Sequence, residues 1–275
     1  MAAAAELDIA VAAGGDAEVF SSLSPPTRNV NRLAPGLDLA SASYWNSRDG
    51  TNNYRGGVLI SPRHVLANRE GHYTPTFVAG DTLRWLTAGN VVVEGEIEDC
   101  ESVPYVSPQW PDIGIYLLTE PITSIPFAKV LPPDWRDWFP AMPGVPEDAW
   151  RKYAMTTYVP EFTRLYRRPV ITVDQFHKLL VADIIGEEWL YSTMMNTFVP
   201  KNAARAEYWR QGVGGDCGHP TYLWIDGVAV VLNATIVAGS GTLVSDYYDE
   251  INAMMTTLGG GYQLTPIDLS KYAKA

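Results

Sequence analysis

The chain has 275 residues, 31 acidic against 20 basic, and a formal net charge of −11. Its hydrophobic fraction of 47% and charged fraction of 19% indicate a globular protein and exclude a disordered chain. The acidic balance argues against nucleic acid as a partner, because neutralising phosphates needs a basic face, and no apolar run reaches the roughly 18–20 residues that span a bilayer.

Residues 1–54 are rich in Ala, Ser, Asn and Pro and show little periodicity, which predicts an extended amino-terminal arm. The first residues lack the basic start of a secretory signal, and Glu6 and Asp8 interrupt their apolar stretch. We therefore expect cytoplasmic residence by default, with export or association with a virion left open.

Short apolar segments between residues 55 and 131 predict a first β-barrel. Residues 57–60 form an apolar β run, residues 85–97 contain two strands around Gly89-Asn90, and residues 113–118 suit a buried strand. Residues 132–168 carry repeated prolines, which predicts a long irregular connection between two domains.

Residues 169–275 predict a second β-barrel that ends in a helix. Strands resume at 170–173 and 179–185, and Asp226-Gly227 is a strong hairpin signal between two apolar runs. Apolar residues recur every three or four positions from 244 to 258, with Ser245 or Asp246 as a cap and Gly259 as the end. Many short strands in two blocks predict an all-β double barrel with a carboxy-terminal helix, although the pattern alone also allows a sandwich.

Glycines surround Cys217 in the segment 212–220. Glycines allow positive φ and close approach of a substrate, and successive N–H groups in such a turn can converge on an anion. A thiol in this turn can attack a carbonyl while the amides of Gly215 and Cys217 stabilise the oxyanion. The alternative is a tight turn around a buried, inert cysteine. With Cys100 as the other cysteine and no zinc-finger spacing, we expect neither a disulfide scaffold nor a metal or other cofactor.

A nucleophilic thiol needs a base, and the chain has four histidines. His72 lies in a loop segment, where a lone histidine is usually solvated, while His64 enters an apolar strand and suits a structural role. His177 lies in a surface turn, and His219, two residues after Cys217, is the second choice for a base. Separately, Asp112 precedes the apolar run 113–118, so it is either a carboxylate that orients an imidazole or a turn aspartate.

Three segments, in the order His, Asp, nucleophile, resemble the chymotrypsin/trypsin-like peptidases. Residues 57–73 are similar to the strand that ends in the family's histidine, and Pro111-Asp112-Ile113 begins a segment similar to its aspartate strand. Residues 215–220, Gly-Asp-Cys-Gly-His-Pro, resemble its nucleophile segment. The likeness covers about residues 55–258. The stretch 59–64 makes bacterial and phage-associated members the more similar ones.

The resemblance implies a trypsin-like double β-barrel that cleaves polypeptides by acyl transfer. His72 would be the general base, Asp112 its orienting carboxylate and Cys217 the nucleophile, with the amides of Gly215 and Cys217 as the oxyanion hole. It also implies a substrate pocket near Gln211, Asn233 and Thr235, with no trypsin-like preference for Lys or Arg. Neither the cleavage specificity nor the oligomeric state follows from the sequence.

The sequence departs from the family pattern at four points. Cysteine stands at the nucleophile position, the approach to His72 has about one extra residue so that His64 is a fallback base, and His219 replaces a glycine. No activation cleavage site is evident, so Asp216 is expected to have a partner other than a new amino terminus. These departures keep two alternatives open: a non-catalytic binding or structural relative, and a serine hydrolase that carries a Ser-to-Cys substitution.

Overall fold

The computed structural model describes residues 3–43, 45–46, 56–70, 74–104, 111–139, 168–189, 192–234 and 241–274. The helices are α1 (Ala3–Ala13), α2 (Ala203–Ala206) and α3 (Tyr248–Leu258). The strands of the amino-terminal half are β1 (Phe20–Leu23), β2 (Pro26–Arg28), β3 (Ala42–Ser43), β4 (Trp45–Asn46), β5 (Gly57–Leu59), β6 (His64–Ala67), β7 (Arg69–Glu70), β8 (Thr74–Pro75), β9 (Thr82–Leu86), β10 (Val92–Ser102) and β11 (Gly114–Leu118). Those of the carboxy-terminal half are β12 (Lys129–Val130), β13 (Pro169–Val173), β14 (Leu179–Trp189), β15 (Ser192–Phe198), β16 (Pro220–Ile225), β17 (Val228–Ala234) and β18 (Gly241–Thr242).

The first sheet closes on itself. Its order is β3-β5-β6-β11-β10-β9-β4, and all neighbouring strands are antiparallel. β3 and β4 are separated by one residue in the chain, yet β3 pairs with β5 at one edge and β4 pairs with β9 at the other. The segment 42–46 therefore joins the two edges and makes this sheet barrel-like.

The second sheet has the order β12-β17-β16-β13-β14-β15-β18, with β12 and β17 parallel and the other pairs antiparallel. It curls so that β18 comes close to the end of β17. The approach is so close that a Cβ built on Gly241 would lie 2.8 Å from the Ala234 carbonyl oxygen. The β16–β17 turn has positive φ at Asp226 and Gly227, as the sequence predicted for a two-residue hairpin. The predicted all-β class with barrel-like sheets is confirmed.

Strands at the centre of each sheet are buried on both faces. One face of the strand lines the interior of its own sheet, and the other packs on an apolar core between the two sheets. Alternate residues face the sheet's own interior or a core that both sheets share. On β11, Ile115 joins the shared core and Tyr116 the first interior; on β16, Tyr222 joins the shared core and Leu223 the second interior. This explains why β11 reads as a continuous apolar run.

The predicted carboxy-terminal helix is confirmed, and Gly259, with φ of 94°, ends it. The capping prediction is wrong, because the helix is preceded by a 3-10 turn, Val244–Tyr247, and the side chain of neither Ser245 nor Asp246 caps α3. Asp246 instead pairs with Arg136 at 2.9 Å.

The prediction of an extended amino-terminal arm is wrong for residues 3–13, which form α1. Leu7, Ala10 and Val11 occupy positions i, i+3 and i+4, so they lie on one face of the helix, and all three are buried in the shared core. The segment is also rich in alanine, the strongest helix former. β1 and β2 form a hairpin, and β3 and β4 belong to the first sheet although they precede residue 55. Most of the predicted proline-rich connection, residues 140–167, lies outside the described residues.

None of the described helices has the length and apolar character needed to cross a bilayer.

Candidate functional site

Asp112 lies at the junction of the two sheets. It immediately precedes Ile113 and β11. Its Oδ1 accepts a hydrogen bond from the Arg69 backbone N–H at 2.8 Å, and its own N–H donates to Thr242 Oγ1 at 3.2 Å. Arg69 lies in β7, just after the first sheet's β6, and Thr242 lies in β18 of the second sheet, so Asp112 is bonded to both halves, through its carboxylate on one side and its backbone N–H on the other.

The Cys217 loop lies against the first sheet. The Gly56 N–H donates to the Cys217 carbonyl oxygen at 3.2 Å. Gly218 has φ of 80°, and a Cβ on it would overlap the Gly56 carbonyl oxygen and lie 3.2 Å from Asn68 Oδ1. Only glycine fits so close to the Gly56 backbone. Cys217, the preceding residue, is buried, with 7% of its surface exposed.

Asn68 connects these two places. Its buried side chain faces Gly218, and the N–H of the next residue, Arg69, donates to Asp112. Thr76 Oγ1 donates to the Asn68 carbonyl oxygen at 2.5 Å and lies 3.0 Å from Asn68 Oδ1. The structure thus brings Asp112 and the Cys217 loop to one junction around Asn68. In the sequence, the one sign of this residue is a polar side chain directly after the apolar residues 65–67.

The predicted base, His72, lies outside the described residues, as does Thr235 of the predicted pocket wall. His72 follows Arg69 by three residues in the chain.

The fallback base, His64, has a structural environment. Ser61 Oγ accepts the N–H groups of Arg63 and His64 at 3.2 and 3.0 Å, which leaves its hydroxyl hydrogen for His64 Nδ1 at 2.8 Å. Burial, helped by the Arg63 charge, lowers the pKa of His64 to about 4, although nearby carbonyls at the end of α3 oppose the shift. His64 pairs with Leu117 at the far end of the β6–β11 ladder from Asp112, which is about 17 Å away along the extended chain.

The second-choice base, His219, is fully buried against the first sheet. A Cβ on Gly56 would lie 2.9 Å from His219 Nδ1 and 2.9 Å from the Ser43 carbonyl oxygen, so this glycine makes room for the ring. The ring is enclosed at the junction, with 0% of the residue exposed.

Asp216, which precedes the predicted nucleophile, has an internal cation as partner, as the sequence analysis expected. Arg210 Nη2 lies 3.3 Å from Asp216 Oδ1 and 2.7 Å from Asp174 Oδ2. The Val213 N–H also donates to Asp216 Oδ2 at 2.8 Å. Both carboxylates are almost fully buried, with 1% of Asp174 and 3% of Asp216 exposed, so each requires a partner.

Gln175 holds the loop from the other side. Its N–H and Nε2 donate to Asp216 Oδ1 at 3.1 and 3.2 Å, and Nε2 also donates to the Gly214 carbonyl at 2.9 Å. Gly215 has φ of 102°, and a Cβ there would lie 2.5 Å from Gln175 Oε1, so a side chain is excluded at this amide. Asp174, Gln175 and Arg210 were not predicted from the sequence, because the contacts of Asp174 with Arg210 and of Gln175 with Asp216 join residues 36 and 41 positions apart.

The two described residues of the predicted substrate pocket differ in exposure. Gln211 is exposed, whereas Asn233 is fully buried opposite Thr221, and neither its Oδ1 nor its Nδ2 has a hydrogen-bond partner among the described residues. No group of three or more His, Cys, Asp or Glu side chains among the described residues is arranged to hold a metal ion.

The other cysteine, Cys100, lies in β10 opposite Tyr116. Burial raises the pKa of its thiol, and the neighbouring Asp99 and Glu101 charges add to the shift.

The chain matches no protein-family model and no curated protein sequence.

Proposed function

We propose that the protein is a peptidase of trypsin-like fold that cleaves a polypeptide by acyl transfer to Cys217. His72 takes the thiol proton, and the thiolate attacks the peptide carbonyl carbon. The amides of Gly215 and Cys217 stabilise the oxyanion, and the amine leaves with the proton from His72. Water, activated by His72, then hydrolyses the thioester and restores the thiol.

One observation carries this proposal: Asp112 and the Cys217 loop meet at the same junction, on either side of Asn68. A triad drawn from two sheets requires such a junction, because its members are far apart in the chain. The Arg69 N–H that holds Asp112 is three residues before His72, so the chain carrying the base leaves from the carboxylate.

The internal Arg210 partner of Asp216 further supports the proposal. It supplies a cation beside the nucleophile loop without a newly cleaved amino terminus. On this proposal the chain needs no activation cleavage.

The first test is the pH dependence of Cys217 alkylation by iodoacetamide, measured by peptide mass spectrometry. An imidazolium beside a thiolate lowers a cysteine pKa from about 8.5 by several units, so we expect Cys217 to react well below pH 8. Cys100, whose pKa burial raises, is the internal control. His72→Ala should return the Cys217 pKa to the ordinary range, and His64→Ala should not. Equal rates at both cysteines would contradict the thiolate–imidazolium pair.

The burial of Cys217 favours a second candidate, a non-catalytic relative in which the Gly-rich loop only joins the two sheets. This candidate requires an ordinary thiol pKa in the wild type and no gain of reactivity in Cys217→Ser. Strong labelling of Cys217→Ser by a fluorophosphonate, with an inert wild type, would instead identify a site built for serine.

A further inference from the structure

We propose that residues 17–20 of the amino-terminal segment are positioning residues for the nucleophile loop, acting through the turn Asp174–Lys178. The effect of residues 17–20 on catalysis rests on the proposed function, whereas their effect on the order of the loop that contains Cys217 does not.

The amino-terminal segment docks directly on this turn. The Val19 N–H donates to the His177 carbonyl at 2.8 Å, and the Leu179 N–H donates to the Ala17 carbonyl at 2.7 Å. These two bonds form an antiparallel bridge centred on Glu18 and Lys178, whose side chains pair at 3.1 Å. The Phe20 ring, which is buried, meets the His177 ring edge-on at 5.4 Å between centroids. The segment thus pairs as a short antiparallel strand beside the residues that begin β14.

The other side of the same turn holds the nucleophile loop. Asp174 binds Arg210, and Gln175 binds both Asp216 and the Gly214 carbonyl. The turn itself is narrow: Asp174 Oδ1 accepts the N–H groups of Phe176 and Lys178 at 2.7 and 2.9 Å.

The backbone of the turn is strained, because His177 has φ of 61°. A conformation of this kind persists only when its surroundings hold it, and the contacts of residues 17–20 supply such support. Residues 17–20 bind His177, Lys178 and Leu179, while residues 213–217 bind Gln175, so both segments share one small turn. Loosening the first contact leaves the second without a fixed base.

The test compares substitutions at the two attachments of the amino-terminal segment. Phe20→Ala removes the ring that packs on His177, and Phe20→Leu restores most of its apolar volume. His177→Asn is a milder second variant, because asparagine tolerates positive φ while the ring contact is lost. Arg28→Ala is the matched control: Arg28 holds the other end of the segment to the first sheet, where its side chain donates to the Leu86 and Thr87 carbonyls.

The first readout is hydrogen exchange at the Val213, Asp216 and Gln175 amides, which make the loop's hydrogen bonds. We expect Phe20→Ala and His177→Asn to speed this exchange about tenfold or more relative to amides of β11, with little effect from Phe20→Leu or Arg28→Ala. Equal acceleration in β11, or no difference from Arg28→Ala, would overturn the proposal by showing a global or absent effect.

The second readout is turnover of a peptide ester. A misplaced oxyanion amide acts on the transition state, so we expect His177→Asn to lower kcat about tenfold and to change KM little. An unchanged kcat in an active enzyme with a loosened loop would overturn the catalytic part. An inactive wild type with the expected exchange pattern would contradict the proposed function and leave the coupling intact.

Discussion

At the scale of single residues, two glycines with nearly the same backbone differ in what surrounds them. Gly218 and Gly227 have φ of 80° and 78°, but a Cβ on Gly218 would overlap the Gly56 carbonyl oxygen, while nothing lies within 4 Å of one on Gly227. We expect Gly227→Ala to lower the free energy of unfolding by about 1–2 kcal/mol, the cost of positive φ alone. Gly218→Ala should cost several kcal/mol more, on the scale of overpacking in a junction that cannot relax. Urea unfolding of both variants measures the difference, and similar losses would show that the sheets separate easily at this point.

His64 makes the stability of the protein depend on pH. Its pKa of about 4 in the folded state lies below the ordinary 6.5, so the unfolded chain binds the proton first on acidification. The stability is complete above about pH 6.5 and falls towards pH 4; at pH 5 the loss is about 2 kcal/mol. The free energy of unfolding, measured with urea, should therefore be lower at pH 5 than at pH 7. We expect His64→Asn to remove most of the contribution of about 2 kcal/mol that His64 makes to this decrease. His177→Asn is the control, and an equal reduction there would show that burial of His64 is not the cause.

At the scale of structural elements, the Cys217 loop is held by a buried ionic cluster of Arg210, Asp174 and Asp216. Arg210→Leu would leave Asp174 and Asp216 buried without a cation, and breaking such a pair costs about 3–5 kcal/mol. Arg210→Lys should recover part of this, because it keeps the charge but loses the fork that reaches both carboxylates. The matched control is Arg84→Leu, which breaks an exposed pair with Glu94 at 2.8 Å and should cost less than about 1 kcal/mol. Urea unfolding at pH 7 decides, and equal losses would contradict the role assigned to burial.

Elements whose signal lies within a few neighbouring residues were predictable from the sequence. The β16–β17 hairpin follows from Asp226-Gly227, and α3 follows from its own periodicity. α1 was missed because alanine obscures the apolar face that Leu7 and Val11 complete. Asn68 and Arg210 were missed for another reason: a lone polar residue has no periodicity, and its partners, Gly218 for Asn68 and Asp174 for Arg210, lie far away in the chain.

At the scale of the whole molecule, the two barrel-like sheets have separate interiors and share a third core. α1 and α3 contribute Leu7, Ile251 and Met255 to this shared core, so the two ends of the chain help to hold the sheets together. The polar contacts between the sheets then have a different role. They fix the register that brings Asp112 and the Cys217 loop to one junction, which apolar contact, being non-directional, does not do.

Thr242 gives the sharpest test of that register. Its buried hydroxyl accepts the Asp112 N–H across the junction at 3.2 Å. Thr242→Val keeps the shape but leaves this N–H without an acceptor, which we expect to cost about 1–3 kcal/mol of unfolding free energy. Thr256→Val is the control, because its hydroxyl bonds the Asn252 carbonyl on the exposed face of α3 and should matter little. Exchange at the Asp112 amide should rise in Thr242→Val beyond the rise at its β11 neighbours, since the lost bond is local. If instead the Asp112 amide stays as protected as in the wild type, the two sheets are registered by the apolar core, and the junction around Asn68 follows from it.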